Sequence, residues 1–158
     1  MSFVLHPARA ADLARLAQLH AACFPDDAWN SAALATVLAM PGADGRMCCG
    51  GDGAACGLLL AQCLGLEGEI LTLGVAPEVR RHGVARALLA DLIARTRAGG
   101  VERLLLEVAA DNTAALALYD SIGFVRQGTR RRYYSRAGGP AVDAWRLALD
   151  LHYVPNLI

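Results

Sequence analysis

The chain of 158 residues carries fifteen basic residues, all arginine, against fifteen acidic ones, for a formal net charge of zero. With 55% hydrophobic and 19% charged residues this composition excludes a disordered chain, and the balanced charge supplies no global field for nucleic acid or a membrane surface. The absence of lysine removes Schiff-base chemistry, a lysine base and the Walker-type phosphate lysine, and leaves arginine as the bidentate phosphate ligand.

Residues 1–158 read as one domain, long enough to build a core without metal or disulfide. "FVLHPA" predicts a short strand ended by Pro7. "RAADLARLAQLHAACF" follows with Leu13, Leu16, Ala17, Leu19 and His20 at helical spacing, and "FPDDAW" breaks it. "NSAALATVLAM" predicts a second helix, capped by Asn30 or Ser31 and stopped at Pro41, with "PGADG" as a turn. Strands are expected over Arg46–Cys49, Ala55–Leu64 and Glu69–Val75, joined by the glycine-rich turns "GGDGA" and "GLEG" into an antiparallel meander. After Val75 the apolar period changes from 2 to about 3.6: Val84, Leu88, Leu89, Leu92 and Ile93 form one stripe that "AGG" ends. "RLLLEV" predicts a fifth strand, "DNTAALALYDSIG" a fourth helix, and "FVRQGTR" and "AVDAWRLAL" two closing strands, while "HYVPNLI" stays ambiguous. The order β-α-α-β-β-β-α-β-α-β-β predicts an α/β fold: a mixed central sheet of about seven strands with helices on both faces.

The five cysteines, Cys23, Cys48, Cys49, Cys56 and Cys63, contain no C-x-x-C pair and fit a reduced intracellular protein. No basic region followed by a long apolar core opens the chain, and runs such as "CGLLLAQCLGL" are too short to span a bilayer, so a cytoplasmic location without membrane contact is expected.

Three segments carry candidate chemistry. "GVAPEVRRHGVARALL" runs from a strand through a basic turn into a helix, where Gly83 allows close approach and free amides favour an anion. Its arginines Arg80, Arg81 and Arg86 read either as phosphate ligands or as a solvated helix entrance. In "LLLEVAADNTAALALYDSIGF" Glu107 shares a strand face with Leu105 and interrupts an otherwise apolar segment. It is either a buried general base or an exposed strand-end carboxylate. Tyr119 lies near an apolar stripe and reads from spacing as a core tyrosine, and Asn112 as an N-cap. Around "GTRRRYYSRAGGPAVDAW" five arginines occur between Arg126 and Arg136, beside Tyr133 and Tyr134, and suit an RNA patch, a loop over a peptide or nucleotide site, or a solvated hairpin tip.

Together "RRHGVA" in its strand–loop–helix context and "N-x-x-A-x-x-L-Y-x-x-x-G-F" over Asn112–Phe124 resemble the GNAT superfamily of acetyl-CoA-dependent N-acetyltransferases, over essentially the whole chain. "CFP" with Trp29, "LEVAADN", "ALYDSIGF" and "RRRYY" resemble its bacterial RimI type, which acetylates the N-terminal alanine of a small-subunit ribosomal protein. The resemblance implies Glu107 as base and Tyr119 as acid. It implies acetyl-CoA as co-substrate, with no metal, held by Leu73, Gly74, Val75, Arg81, His82, Gly83, Val84, Ala85, Arg86 and Asn112. It implies a protein N-terminal peptide as partner, with Trp29, Tyr133 and Tyr134 at the peptide site and nucleic acid disfavoured. The compact P-W-S or P-W-T of that type is here "FPDDAWN", with Asp26, Asp27 and Ala28 before Trp29, so the peptide-site loop departs from the pattern. Another protein N-terminus or a small amine is the alternative acceptor. An acetyl-CoA-binding module without catalysis and an RNA-binding protein are the rivals.

Overall fold

The computed structural model describes residues 2–154. In chain order they form β1 (Phe3–Pro7), α1 (Leu13–Cys23), α2 (Ser31–Leu38), β2 (Ala43–Gly50), β3 (Ala55–Leu64), β4 (Glu67–Val75), α3 (Val84–Ala98), β5 (Arg103–Ala109), α4 (Thr113–Ile122), β6 (Val125–Tyr134) and β7 (Val142–Asp150). Short 3₁₀ turns at Ala10–Asp12 and Pro77–Val79 lead toward α1 and α3. The strands make one seven-stranded sheet in the order β1-β2-β3-β4-β5-β7-β6. Only β4 and β5 pair in parallel; every other neighbouring pair is antiparallel. The parallel pair needs a long crossover, and α3 supplies it.

Boundaries shift from the sequence expectations where turn residues enter strands. Only the start of "PGADG" turns, because Ala43, Asp44 and Gly45 already pair with Gln62, Ala61 and Leu60. "GLEG" shortens likewise, with Glu67 and Gly68 paired to Leu64 and Cys63. β6 runs on through the arginines to Tyr134, since β7 offers partners as far as Val142. The last part of "HYVPNLI", residues 155–158, lies outside the described residues.

Two apolar layers hold helices on the two faces. Val84, Leu88, Leu89, Leu92 and Ile93 of α3 pack with Tyr119 and Ile122 of α4 on Leu59, Leu104, Leu106 and Val108. On the other face Leu16 and Leu19 of α1 and Leu34 of α2 cover Met47, Leu58 and Leu60. The alternation Leu58, Leu59, Leu60 thus feeds both layers from one strand, as a period of 2 requires. Fully burying each such leucine is worth about 1.5–3 kcal/mol. Asn30 caps α2 by accepting the Ala33 N–H at 2.9 Å, and Asn112 caps α4 by accepting that of Ala115 at 3.2 Å. Gly123 ends α4 at φ +114°, a conformation glycine adopts without strain.

Gly57 sets how closely α3 approaches β3. A Cβ there would meet Val84 Cγ1 at 2.6 Å, and Cys48 Cβ and Leu88 Cδ1 at 3.2 Å. Gly57→Ala should therefore push out the first turn of α3 and destabilise the protein by about 1–3 kcal/mol, read as a lower midpoint in urea unfolding.

Candidate active site

The site begins with a parting of strands. β4 and β5 pair only from Glu67↔Arg103 to Ile70↔Leu106. At that point β4 carries one extra residue against β3: Thr72 opposes Leu60 and Ile70 opposes Ala61, so Leu71 bulges. A bulge bends its strand, and β4 leaves β5. Beyond it Ala76 N–H bonds Cys56 C=O at 2.9 Å, a ladder bond to β3. Antiparallel alternation then turns the N–H and C=O of Val75 and Leu73 away from β3, toward the side β5 has vacated. Among the described residues the Val75 carbonyl accepts the Arg80 Nε–H at 3.1 Å.

The gap is a cleft of about 370 Å³ that passes through the sheet. Because it does, groups from both faces line it. Glu107 comes from the α1 side of β5, and Tyr119 comes from α4 on the opposite side. Leu73, Asn112, Trp29 and Tyr134 line it too. The Glu107 side chain keeps 16% of its exposure, and its Oε1 forms an ion pair with Arg130, 2.8 Å from Nε. Glu107 thus lies between the two expectations of burial and exposure: it lines the cleft, is paired with Arg130 and still reaches solvent. Tyr119 is buried with its ring edge-on to Phe124 at 5.4 Å. Burial, and then the nearby Tyr134, push its phenol well above the ordinary value of 10.0, so it stays protonated far into the alkaline range. It nonetheless lines the cleft, unlike a plain core tyrosine.

The rim is built by charge. Arg136 donates from Nε and Nη2 to both oxygens of Asp111, at 3.0 and 2.8 Å, and ties the segment after β6 to the entrance of α4. Arg136 holds the Asp111 carboxyl below its ordinary range. On the far side Phe24, Asp26 and Asp27 of the α1–α2 segment face the same space.

Next to the cleft, the basic turn enters α3. Arg81 and Gly83 both have left-handed backbones, at φ +64° and +84°. Gly83 is the N-cap of α3 with no side-chain cap bond, so the first-turn amides of Val84, Ala85 and Arg86 are left for another acceptor. A Cβ at Gly83 would meet nothing, so glycine is required there by its φ and not by crowding within the chain. His82 Nδ1 donates to the Arg80 carbonyl at 2.9 Å and stiffens the turn. Arg86 is partly committed elsewhere: its Nη2 donates to Ser121 Oγ on α4 at 2.6 Å. This donor set suits a polyanion, and the outward-turned amides of Leu73 and Val75 suit an extended amide-bearing arm leading from it. Acetyl-CoA has both parts.

Gly74 faces the other way, against α1, where a Cβ would lie 3.0 Å from Cys23 Sγ and from Phe24. Tyr133 is exposed and stands outside the cleft, beneath the Arg130 guanidinium. Sequence reasoning missed three contributors. Arg130 ends the predicted strand "FVRQGTR" and Arg136 follows β6, and the partners of both lie far off in the chain. His20 read as one more position on an apolar helix stripe. Cys23 also lines the cleft, and burial pushes its thiol up to about 11, which keeps it mostly protonated at neutral pH. Among the described residues no cluster of His, Cys, Asp and Glu could hold a metal ion, and no helix is long and apolar enough to cross a membrane.

Comparison with known proteins agrees with this geometry. The model of the acetyltransferase (GNAT) family matches residues 13–124. The N-alpha-acetyltransferase RimI of Mycobacterium tuberculosis is 41% identical over 147 residues, covering 89% of this chain and 87% of that protein. The [ribosomal protein bS18]-alanine N-acetyltransferase of Escherichia coli is 42% identical over 85 residues, 54% of this chain and 57% of that protein. The crystal structure of the ribosomal-protein-S18-alanine N-acetyltransferase from Escherichia coli superposes with a TM-score of 0.88 at 28% identity, over 95% of this chain and 94% of that one. An acetyl-CoA complex of Arabidopsis thaliana NAA60 shares the fold, with a TM-score of 0.82 at 21% identity over 96% of this chain and 99% of that one. The parted strands, the left-handed turn into α3 and the family match together make this chain a member of the GNAT acetyltransferase family.

Proposed function

We propose that this chain, with residues 1–158 as one catalytic domain in the cytoplasm, transfers acetyl from acetyl-CoA to a protein N-terminal amine, first of all the N-terminal alanine of a small-subunit ribosomal protein. The observation that carries the reading is the meeting of Glu107 and Tyr119 in one cleft beside the outward-turned backbone of Leu73 and Val75. The substrate class rests on the relatives, whose names specify Nα-acetylation and the alanine of bS18.

Acetyl-CoA, when bound, supplies an acetyl group activated as a thioester. The amides of Val84, Ala85 and Arg86 and the Arg81 side chain bind its pyrophosphate, and Leu73 and Val75 orient the arm by main-chain bonds. An α-amine has a pKa near ~8 and needs only a mild base to become neutral. Glu107 takes that proton, directly or through water. Its Oε1 is engaged by Arg130, which leaves Oε2 for the proton. The Val75 N–H is the donor for charge developing on the carbonyl oxygen. Tyr119, kept protonated by burial, hands its proton to the departing thiolate. Trp29 and Tyr134 flank the incoming peptide, and Asn112 has its side-chain N–H₂ left to bind after Oδ1 caps α4.

A second reading is favoured by one feature. "FPDDAWN" brings Asp26 and Asp27 to the cleft, where carboxylates attract amines of higher positive charge. Another N-terminus or a small polyamine is the acceptor in that reading. Mass spectrometry after incubation with acetyl-CoA should find one added acetyl on peptides beginning with alanine in preference to other first residues and to polyamines. Equal or greater labelling of polyamines would favour the second reading.

Glu107→Gln and Tyr119→Phe should each lower kcat by about 10²–10⁴-fold and change the acetyl-CoA Kd little, as steady-state kinetics and calorimetry would read. Since the Tyr119 phenol is raised above 10.0, any alkaline loss of kcat from this group falls above pH 10 and not below it. Gly83→Val should raise the acetyl-CoA Kd by about tenfold or more, because a left-handed β-branched residue costs at least about 1–2 kcal/mol and its side chain stands over the first-turn amides.

A further inference from the structure

His20 is a buried polar side chain that the steps above do not use. It ends an apolar stripe of α1 with Leu16 and Leu19, and it lines the cleft. Its two ring nitrogens are both engaged, and with opposite roles. The Trp29 backbone N–H donates to Nδ1 at 3.0 Å. Nε2 lies 3.2 Å from Thr72 Oγ1. Nδ1 must therefore hold its lone pair, so in the neutral ring the proton sits on Nε2 and is given to Thr72. Burial lowers the imidazole pKa and Asp27 partly opposes this, which agrees with a neutral ring.

The two partners matter more than the bonds. Trp29 belongs to the altered segment "FPDDAWN", whose other main-chain bonds are short-range, such as Asp27 N–H to Phe24 C=O at 3.1 Å. Thr72 lies on the part of β4 that has left β5. His20 thus joins a loop without a long-range ladder to a strand that has lost one of its own. The ring also stacks on Trp29, with centroids 5.0 Å apart and planes at 18°, and meets Phe24 at 4.6 Å. Close seating of α1 on this stretch is independently required by Gly74, where a Cβ would come within 3.0 Å of Cys23 and Phe24.

We propose that His20 is the positioning residue of the acceptor side. A neutral, Nε2-protonated ring bridges Trp29 to Thr72 and so fixes the wall against which the acceptor amine is presented. It acts through Trp29 and touches neither the acetyl group nor the pyrophosphate turn. The role on the acceptor rests on the cleft being the acetyl-transfer site, whereas the state of the ring does not.

Two variants and one spectrum test it. His20→Phe keeps an aromatic ring and deletes both hydrogen bonds. His20→Asn offers Oδ1 near the place of Nδ1 and restores the acceptor for Trp29. The acceptor-peptide KM should rise about tenfold in His20→Phe and recover most of the way in His20→Asn, while the acetyl-CoA Kd from calorimetry stays within about twofold in both. An unchanged KM in His20→Phe, a parallel rise in the acetyl-CoA Kd, or no recovery in His20→Asn would overturn the proposal. Long-range ¹H–¹⁵N spectra of the wild-type protein at pH 7 should show the Nε2–H tautomer; an Nδ1–H tautomer or a doubly protonated ring would overturn it even if neither variant folds. Absence of peptide acetylation by the wild type would instead overturn the function proposed above, and the nitrogen spectra would still decide the ring.

Discussion

Everything at the site depends on the hydrogen bonds that β4 and β5 do not make. A parallel pair that stayed zipped beyond Ile70 and Leu106 would leave a closed sheet, with Glu107 on one face and Tyr119 behind the other. The bulge at Leu71 turns that wall into a slot. Opening it exposes main-chain groups that must find partners, which costs stability unless something else supplies the bonds. Arg80 supplies one by bonding the Val75 carbonyl. The remaining groups of Leu73 and Val75 are the ones an extended amide-bearing ligand can satisfy. The binding capacity of the cleft and its structural cost are therefore the same set of unpaired amides.

The slot also explains why charge is spent locally in a chain of zero net charge. The cluster between Arg126 and Arg136 looked from sequence like a surface for nucleic acid or solvent. Much of it is engaged within the fold. Arg126 lies over the Trp145 ring at 4.0 Å, Arg130 holds Glu107, and Arg136 clamps Asp111. Arg130 reaches across β7 to Glu107 of β5, so the edge strand β6 buttresses the cleft. An exposed ion pair adds little stability, but a bidentate pair such as Arg136–Asp111 fixes geometry at the rim.

Periodicity carried most of the fold into the sequence reading. The bounds of Ala55–Leu64 and the stripe of α3 follow directly from apolar spacing, and Asn30, Asn112 and Gly123 act as the caps their chemistry suggests. The errors have a common cause. Gly45 and Gly68 read as turn residues, yet pairing across the sheet overrides local preference. The bulge left no local mark, because Leu71 is an ordinary strand residue. Glu107 stood out as a charge in an apolar strand, but its partner Arg130 lies on a strand two places away in the sheet. Tyr119 read from spacing as core, and it is buried; only the slot through the sheet makes its hydroxyl more than that. His20 was hidden for a different reason, since a neutral histidine occupies an apolar position without disturbing the pattern.

The basic entrance to α3 poses a contrary case, because cations at a helix N-terminus oppose the macrodipole. The cost is compounded by backbone: Arg81 holds φ +64°, where an L residue is strained, directly before Gly83 at +84°. Among the described residues nothing repays either term. The space above Gly83 is empty, the N-cap makes no side-chain bond, and Arg81 and His82 are exposed. Strain and like-signed charge gathered at an uncapped helix end are instead offset when an anion enters, because the same amides, dipole and guanidinium groups then all act in one direction. The turn is thus unfavourable in the protein alone and would be favourable with an anion bound. That asymmetry supports the proposed phosphate role of "RRHGVA" over a solvated helix start, the two readings its spacing left open.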